Sequence, residues 1–121
     1  MMKRILILDD ERAVRDSLID YFEDCLWETR PAESAEEAIG LITSESFSAA
    51  VVDVRLPGMD GNDFIRQALK QTRMAFVICT GSPEYAVPPD LLGFPNVSSR
   101  LFKKPVTLLG ELENEIQRII K

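Results

Sequence analysis

Residues 5–10 have the sequence ILILDD, in which four branched apolar residues lead into two acids. A continuous apolar run of this kind is typical of a strand that is covered on both faces, as in a parallel sheet. Residues 47–53 repeat the pattern, because Ala-Ala-Val-Val leads into an aspartate. Two such strands predict an α/β fold in which carboxylates gather at one edge of the sheet.

Strand and helix patterns alternate along the rest of the chain. Ser34 and Glu37 match a capping box, in which the two side chains reciprocally satisfy free amides at a helix start. The alternation predicts a parallel, doubly wound sheet of the flavodoxin-like (βα)5 class, a three-layer sandwich with strand order 2-1-3-4-5. We predict strands over residues 3–9, 26–30, 47–53, 74–80 and 97–103, and helices over 11–24, over 34–44, from about 64, and from about 109 to the C-terminus at Lys121.

Four prolines interrupt residues 82–96, where a fourth helix would lie. Pro83 suits the first position of a helix, where a missing amide does no harm. Pro88 and Pro89 would each remove a helical hydrogen bond and clash with the preceding turn, at a cost of about 3 kcal/mol or more apiece. We therefore expect a shortened or missing fourth helix, with one turn or none, followed by an irregular loop.

Length and composition exclude several classes of protein. The 121 residues suit one domain over residues 1–121, and the net charge of −6 disfavours binding to nucleic acid or to an anionic membrane. The absence of histidine excludes an imidazole base and a histidine-ligated metal in this chain. No stretch approaches the roughly 20 apolar residues of a membrane span. Cys25 and Cys79 are expected to be buried, reduced thiols of a cytoplasmic protein.

Polar residues stand at the carboxyl ends of the predicted strands. In the order 2-1-3-4-5 the acids of strands one and three converge, and their mutual repulsion favours a bound cation. Mg²⁺ takes one or two carboxylates together with a phosphate, and a hydroxyl and an ammonium suit the phosphoryl oxygens. Each residue alone has a simpler explanation, since acids often cap helices and lysines are usually solvated. The residues concerned are Asp9, Asp10, Asp53, Thr80 and Lys104.

Four ordered motifs resemble the receiver domain of two-component response regulators, a family with a CheY-like fold. They are ILILDDE at residues 5–11, VVDVRLPGMDG at 51–61, VICTG at 77–81 and FKKP at 102–105. The resemblance spans nearly the whole chain, and four motifs together are far more specific than any one of them. It implies a cytoplasmic signalling domain, not an enzyme, that acts in a phosphorelay and switches the interactions of a downstream protein or output domain.

The resemblance also implies a role for each residue of the acidic site. Asp53 would be the phosphoryl acceptor, as a carboxylate nucleophile. The ligands of Mg²⁺ would be Asp10, Asp53 and the backbone carbonyl of Arg55, with Asp9 acting through water. The phosphoryl donor would be a phosphohistidine on a sensor histidine kinase or phosphotransfer protein.

Two further residues are expected to contact the phosphoryl group once it is bound. Thr80 would donate a hydrogen bond to it, and Lys104 would pair with one of its oxygens. In this family the bond between Lys104 and Pro105 is typically cis. The neighbouring Lys103 is expected to point the other way because side chains alternate along a strand.

The sequence departs from the family pattern on the surface that usually relays the signal. Leu101 stands where a switching aromatic residue is common, and Phe102 is expected to face the other side of the sheet. Arg55 and Ser82 flank the expected path of attacking water. One hypothesis is that Arg55 shields the phosphoryl oxygens and sets the lifetime of the phosphorylated form; the alternative is a surface arginine without this role. An unchanged dephosphorylation rate in Arg55→Ala would contradict the hypothesis.

Two other functions share part of this pattern, namely those of a phosphatase and of an interaction module. A phosphatase of the haloacid dehalogenase type also uses an aspartate nucleophile with Mg²⁺, but it needs a second aspartate two residues later, where this chain has Arg55. An interaction module that keeps the fold without the phosphorylation would not need the complete acidic site. Multiple turnover of a small phosphate ester would favour the first. Loss of Mg²⁺ binding in Asp53→Asn, together with no uptake of beryllofluoride by the wild type, would favour the second.

Overall fold

The structure is a computed structural model, and it describes residues 2–120. Five parallel strands form one sheet in the order β2-β1-β3-β4-β5, as predicted. The strands are β1 Arg4–Leu8, β2 Glu28–Ala32, β3 Ala49–Asp53, β4 Ala75–Thr80 and β5 Val97–Lys103. The helices are α1 Arg12–Asp24, α2 Ala35–Ser44, α3 Gly61–Ala68, α4 Pro89–Leu92 and α5 Leu109–Ile120.

The central strands are buried on both faces because alternate side chains enter two separate cores. Leu6 and Leu8 of β1 pack with the residues of α2, α3 and α4. Ile5 and Ile7 of the same strand pack with those of α1 and α5. Alternation of this kind explains why the apolar runs of the sequence are continuous. The result is the predicted three-layer, flavodoxin-like sandwich.

The second strand begins later than predicted, at Glu28 instead of residue 26. Leu26 has a positive φ of 67° and is 75% exposed, so it closes the end of α1 and lies outside the sheet. Trp27, which the prediction placed on the strand, therefore precedes it. The strand continues through Pro31, which is tolerated because β2 is an edge strand with β1 as its one neighbour in the sheet.

The start of α2 differs from the predicted capping box in one bond. The Ser34 hydroxyl accepts a hydrogen bond from the Glu37 amide, as expected. The Glu37 carboxylate accepts from the amide of Glu33, one residue before the cap, instead of from Ser34 itself. The helix ends at Ser44, as predicted.

The fourth helix is a single turn, which confirms the predicted shortening but not its position. The turn begins at Pro89 and not near Pro83, and irregular chain precedes it over residues 81–88 as well as following it, as predicted, over 93–96. Pro89 lies in the first turn, where a proline loses no helical hydrogen bond. Leu91 is fully buried and anchors the turn to the sheet.

The other boundaries fall within three residues of the predictions, and the largest difference is the start of α3, at Gly61 instead of about residue 64. β5 matches over residues 97–103, whereas β1, β3 and β4 begin one or two residues later than predicted because their first residues precede the ladder. The predicted end of the last helix at Lys121 lies outside the described residues. Both cysteines are free; Cys79 is buried as expected, but Cys25 is only half-buried. Among residues 2–120, no helix combines the length and apolar character that a membrane span requires.

Candidate functional site

The sheet topology brings three carboxylates together at the carboxyl ends of β1 and β3. One oxygen from each of Asp9, Asp10 and Asp53 lies within 4.8 Å of the others. Asp9 and Asp53 are buried, with 2% and 4% of their surface exposed, while Asp10 is exposed. Since β1 and β3 are neighbours in the sheet, this convergence follows from strand order.

Lys104 reaches into this cluster from the end of β5. Its Nζ lies 2.7 Å from Asp9 Oδ2 and 3.1 Å from Asp53 Oδ2. The Lys104 amide donates to the Thr80 carbonyl, which holds the residue beside β4. The bond to Pro105 is cis, as the resemblance implied, and Lys103 is exposed.

A third carboxylate binds Lys104, and the sequence reasoning did not assign it a role. Glu11 Oε1 lies 3.1 Å from Lys104 Nζ. Glu11 directly follows Asp9 and Asp10 in the chain, and this position was the one feature of the sequence that could have placed it at the site. The direction of the Glu11 side chain could not be inferred from that position alone.

Burial and the contact between Asp53 and Lys104 have opposite effects on the pKa of each residue. Burial, and then repulsion from Asp9, raise the pKa of Asp53 from 3.8 to about 6, although the hydrogen bond from Lys104 opposes the shift. Burial also disfavours the charge of Lys104, but its bonds to Asp9 and Asp53 outweigh this and hold its pKa above the ordinary value. The site therefore holds more negative charge than Lys104 alone can neutralise.

Thr80, Arg55 and Ser82 also line the site. Thr80 is buried, and its hydroxyl oxygen accepts a hydrogen bond from the Ser82 amide at 3.0 Å. Arg55 Nη2 donates to Ser82 Oγ at 3.3 Å, and both residues line the cleft that Asp53 borders. A cleft of about 620 Å³ runs between these groups and Lys104, with Asp53 among its lining residues.

The loop between β3 and α3 holds Asp53 in place. The Gly61 amide donates to the Val54 carbonyl at 2.9 Å, and a Cβ on Gly61 would collide with the carbonyl oxygen of Asp53. Gly58 has a positive φ of 77°, which a side chain would strain. Asp60 caps α3 by accepting from the Asp63 amide. Gly58 and Gly61, both in the motif at residues 51–61, thus allow the backbone conformation around the buried acid.

The family model of the response regulator receiver domain matches residues 5–93. The chain belongs to the response regulator receiver domain family. Receiver domains are signalling domains of two-component systems, in which phosphorylation of an aspartate and binding of Mg²⁺ are typical. The matched range includes the acidic cluster and Thr80, while Lys104 lies beyond it.

Individual relatives agree with the family assignment. The response regulator MprA of Mycolicibacterium vanbaalenii is 40% identical over 67 residues, which are 55% of this chain and 29% of that protein. The chain thus matches less than a third of the length of this curated relative. A CheY-like receiver domain protein from Methanospirillum hungatei is 29% identical, with a TM-score of 0.80 over 98% of this chain and 97% of that one.

A second solved structure shares the fold at lower identity. The response regulator TrrA of Thermotoga maritima, solved in complex with Mg²⁺ and BeF, is 22% identical, with a TM-score of 0.81. The two chains are covered over 98% and 99% of their lengths. The likeness supports the five-stranded receiver fold of this chain.

The residues of this receiver domain fit a hard divalent cation. The donor set is oxygen only, and two of its carboxylates are buried beside each other with one ammonium between them. Oxygen ligands and excess negative charge are the conditions under which Mg²⁺ is bound by proteins. The acidic cluster is therefore chemically suited to the ion that is typical of the family.

Proposed function

We propose that this receiver domain accepts a phosphoryl group on Asp53 in a Mg²⁺-dependent reaction and thereby switches its interactions with a downstream protein or output domain. The donor would be a phosphohistidine on a sensor histidine kinase or a phosphotransfer protein. The observation that carries the proposal is the Asp53 carboxylate, which is buried, borders an open cleft, and lies between two acids and Lys104.

The transfer forms one bond and breaks one bond. An Asp53 carboxylate oxygen bonds to phosphorus while the phosphorus–nitrogen bond of the donor breaks, and the electron pair stays on the imidazole nitrogen of the partner. The product on this chain is an acyl phosphate. Because these 121 residues include no histidine, a phosphohistidine donor would lie outside them.

Four residues, with Asp53 among them, would hold Mg²⁺. Asp10, Asp53 and the Arg55 backbone carbonyl would bind it directly, and Asp9 would act through water. When bound, the ion offsets the negative charge that the phosphoryl group adds to the three acids. Asp10 is the exposed member of the cluster, so it offers a ligand on the open side of the site.

Thr80 and Lys104 would bind the transferred group. The Thr80 oxygen already accepts from the Ser82 amide, so its O–H proton is free to be donated to a phosphoryl oxygen. Lys104 is 3.1 Å from the acceptor carboxylate and would pair with a phosphoryl oxygen at nearly the same place. Both contacts exist only after phosphorylation, which makes them suited to a switch.

The domain's extent and its location in the cell follow from the same proposed role. Residues 1–121 would form one receiver domain. A sensor kinase would phosphorylate it, and an output protein or domain would respond. A cytoplasmic location is proposed because two-component signalling takes place there and because both cysteines are free thiols.

The test is the stoichiometry of phosphoryl uptake. Incubation with Mg²⁺ and a labelled phosphohistidine donor should label about one site per chain, and the label should be acid-stable but labile to base and hydroxylamine, as acyl phosphates are. Asp53→Asn should abolish labelling, while Asp20→Asn, at an exposed position on α1, should retain it. Continuous turnover of a small phosphate ester would point to a phosphatase, and an absence of both labelling and beryllofluoride uptake would point to an interaction module.

A further inference from the structure

Glu11 is placed where it can compete with a phosphoryl group for Lys104. Its carboxylate lies 3.1 Å from Lys104 Nζ and lines the same cleft as Asp53. The side chain of Glu11 is 63% exposed, whereas that of Lys104 is 10% exposed. The ion pair therefore joins a buried ammonium to a carboxylate on the solvent side of the site.

The local backbone frees the Glu11 side chain for this contact. Glu11 occupies the N-cap position of α1, but its side chain makes no bond to the amides of the helix. Asp9 Oδ1 instead accepts the backbone amide of Glu11 at 2.8 Å. A residue that caps well, such as Ser or Asp, would turn its oxygen toward the helix, so glutamate at this position gives up the cap and reaches Lys104.

The three partners of Lys104 differ in how easily they can be replaced. An ammonium has three protons to donate, and the carboxylates of Asp9, Asp53 and Glu11 account for three contacts. Loss of the Asp9 contact would leave a buried charge without its cation, which is costly. Water can solvate the exposed Glu11 carboxylate, so this contact is the one most readily exchanged.

We propose that Glu11 is a positioning residue that holds Lys104 in the unphosphorylated domain and is displaced from it by the phosphoryl group. The inference rests on the proposed function, because it assumes that an anion binds at Asp53. Its consequence is that the Glu11 carboxylate weakens the binding of a phosphoryl mimic. An exposed ion pair of this kind predicts an effect of about twofold to fivefold.

The experiment compares beryllofluoride binding by the wild type, Glu11→Gln and Glu84→Gln at saturating Mg²⁺. Glu84 is the matched control, since it carries the same charge, is exposed and lines the same cleft. We expect Glu11→Gln to bind beryllofluoride about twofold to fivefold more tightly and Glu84→Gln to remain near the wild type. NMR of the Lys104 side chain should show its Nζ signal shifted by Glu11→Gln in the free domain and unshifted by Glu84→Gln.

Distinct results would overturn the inference and the function on which it rests. Equal or weaker binding by Glu11→Gln, an equal gain in Glu84→Gln, or an unmoved Lys104 signal would each refute the role of Glu11 while leaving the proposed function intact. If the wild type takes up no beryllofluoride with Mg²⁺ present, the proposed function fails and the inference fails with it.

Discussion

Asp53 is a buried acid whose surroundings oppose its charge. Burial and the neighbouring Asp9 raise its pKa to about 6, and the contact with Lys104 offsets this only in part. The folded chain therefore binds a proton at Asp53 more tightly than the unfolded chain does. The geometry that suits the residue for accepting a phosphoryl group is unfavourable for folding in the absence of a cation.

Asp53→Asn should stabilise the domain when metal is absent. Because the folded pKa of about 6 lies above the ordinary value of 3.8, the stability of the wild type should fall as pH rises from about 4 through about 6. Removal of the charge should raise the free energy of unfolding by about 1–2 kcal/mol at pH 7.5, with no gain at pH 4. Urea unfolding in EDTA measures this, and a less stable variant at pH 7.5 would contradict it.

The connection from β3 to α3 depends on a close approach between two backbone segments. Gly61 packs against the carbonyl of Asp53 without room for a side chain, and it begins α3. Gly40, in the middle of α2, has open space around the position of a Cβ. The two glycines thus have opposite requirements although both lie in helices.

Gly61→Ala and Gly40→Ala should therefore change stability in opposite directions. The first should lower the free energy of unfolding by about 2–3 kcal/mol, because the added methyl displaces the segment that carries Asp53. The second should raise it by about 0.5–1 kcal/mol, because alanine favours a helix interior over glycine. Thermal or urea unfolding of both variants measures this, and similar effects of the two would argue against the packing at Gly61.

Some elements were predictable from local signals and others were not. The Ser34 cap, the end of α2 and the limits of β5 follow from nearby residues, and the prolines shorten α4 as expected. The start of β2 was misplaced because Leu26 is apolar yet closes a helix, which depends on how α1 meets the sheet.

The whole molecule assembles its site from segments far apart in the chain. Parallel strand order brings β1 and β3 side by side, and Lys104 follows the carboxyl end of β5, which lies two strands away from β3 in the same sheet. The acidic cluster and its counterion Lys104 therefore come from three separate segments of the chain. A ligand that bridges these segments should consequently stabilise the complete fold.

Mg²⁺ should raise the thermal stability of the wild type. A ligand at a hundred times its Kd adds about 2.7 kcal/mol to the free energy of unfolding. Asp10→Asn removes one exposed carboxylate of the cluster and should reduce this gain. Calorimetry with MgCl₂, compared with NaCl at equal ionic strength, measures the effect; an equal gain in both salts, or in both proteins, would count against a specific site.

Local patterns in the chain were enough to predict the buried strands, the acids at their ends and the short fourth helix. They did not reveal that Glu11 binds Lys104, that Arg55 contacts Ser82, or that the pKa of Asp53 is raised to about 6. Hydrophobic periodicity depends on neighbouring residues and survives in the sequence. Side-chain direction, burial and the field at a carboxylate are set by atoms from distant segments, which meet only after the sheet has formed.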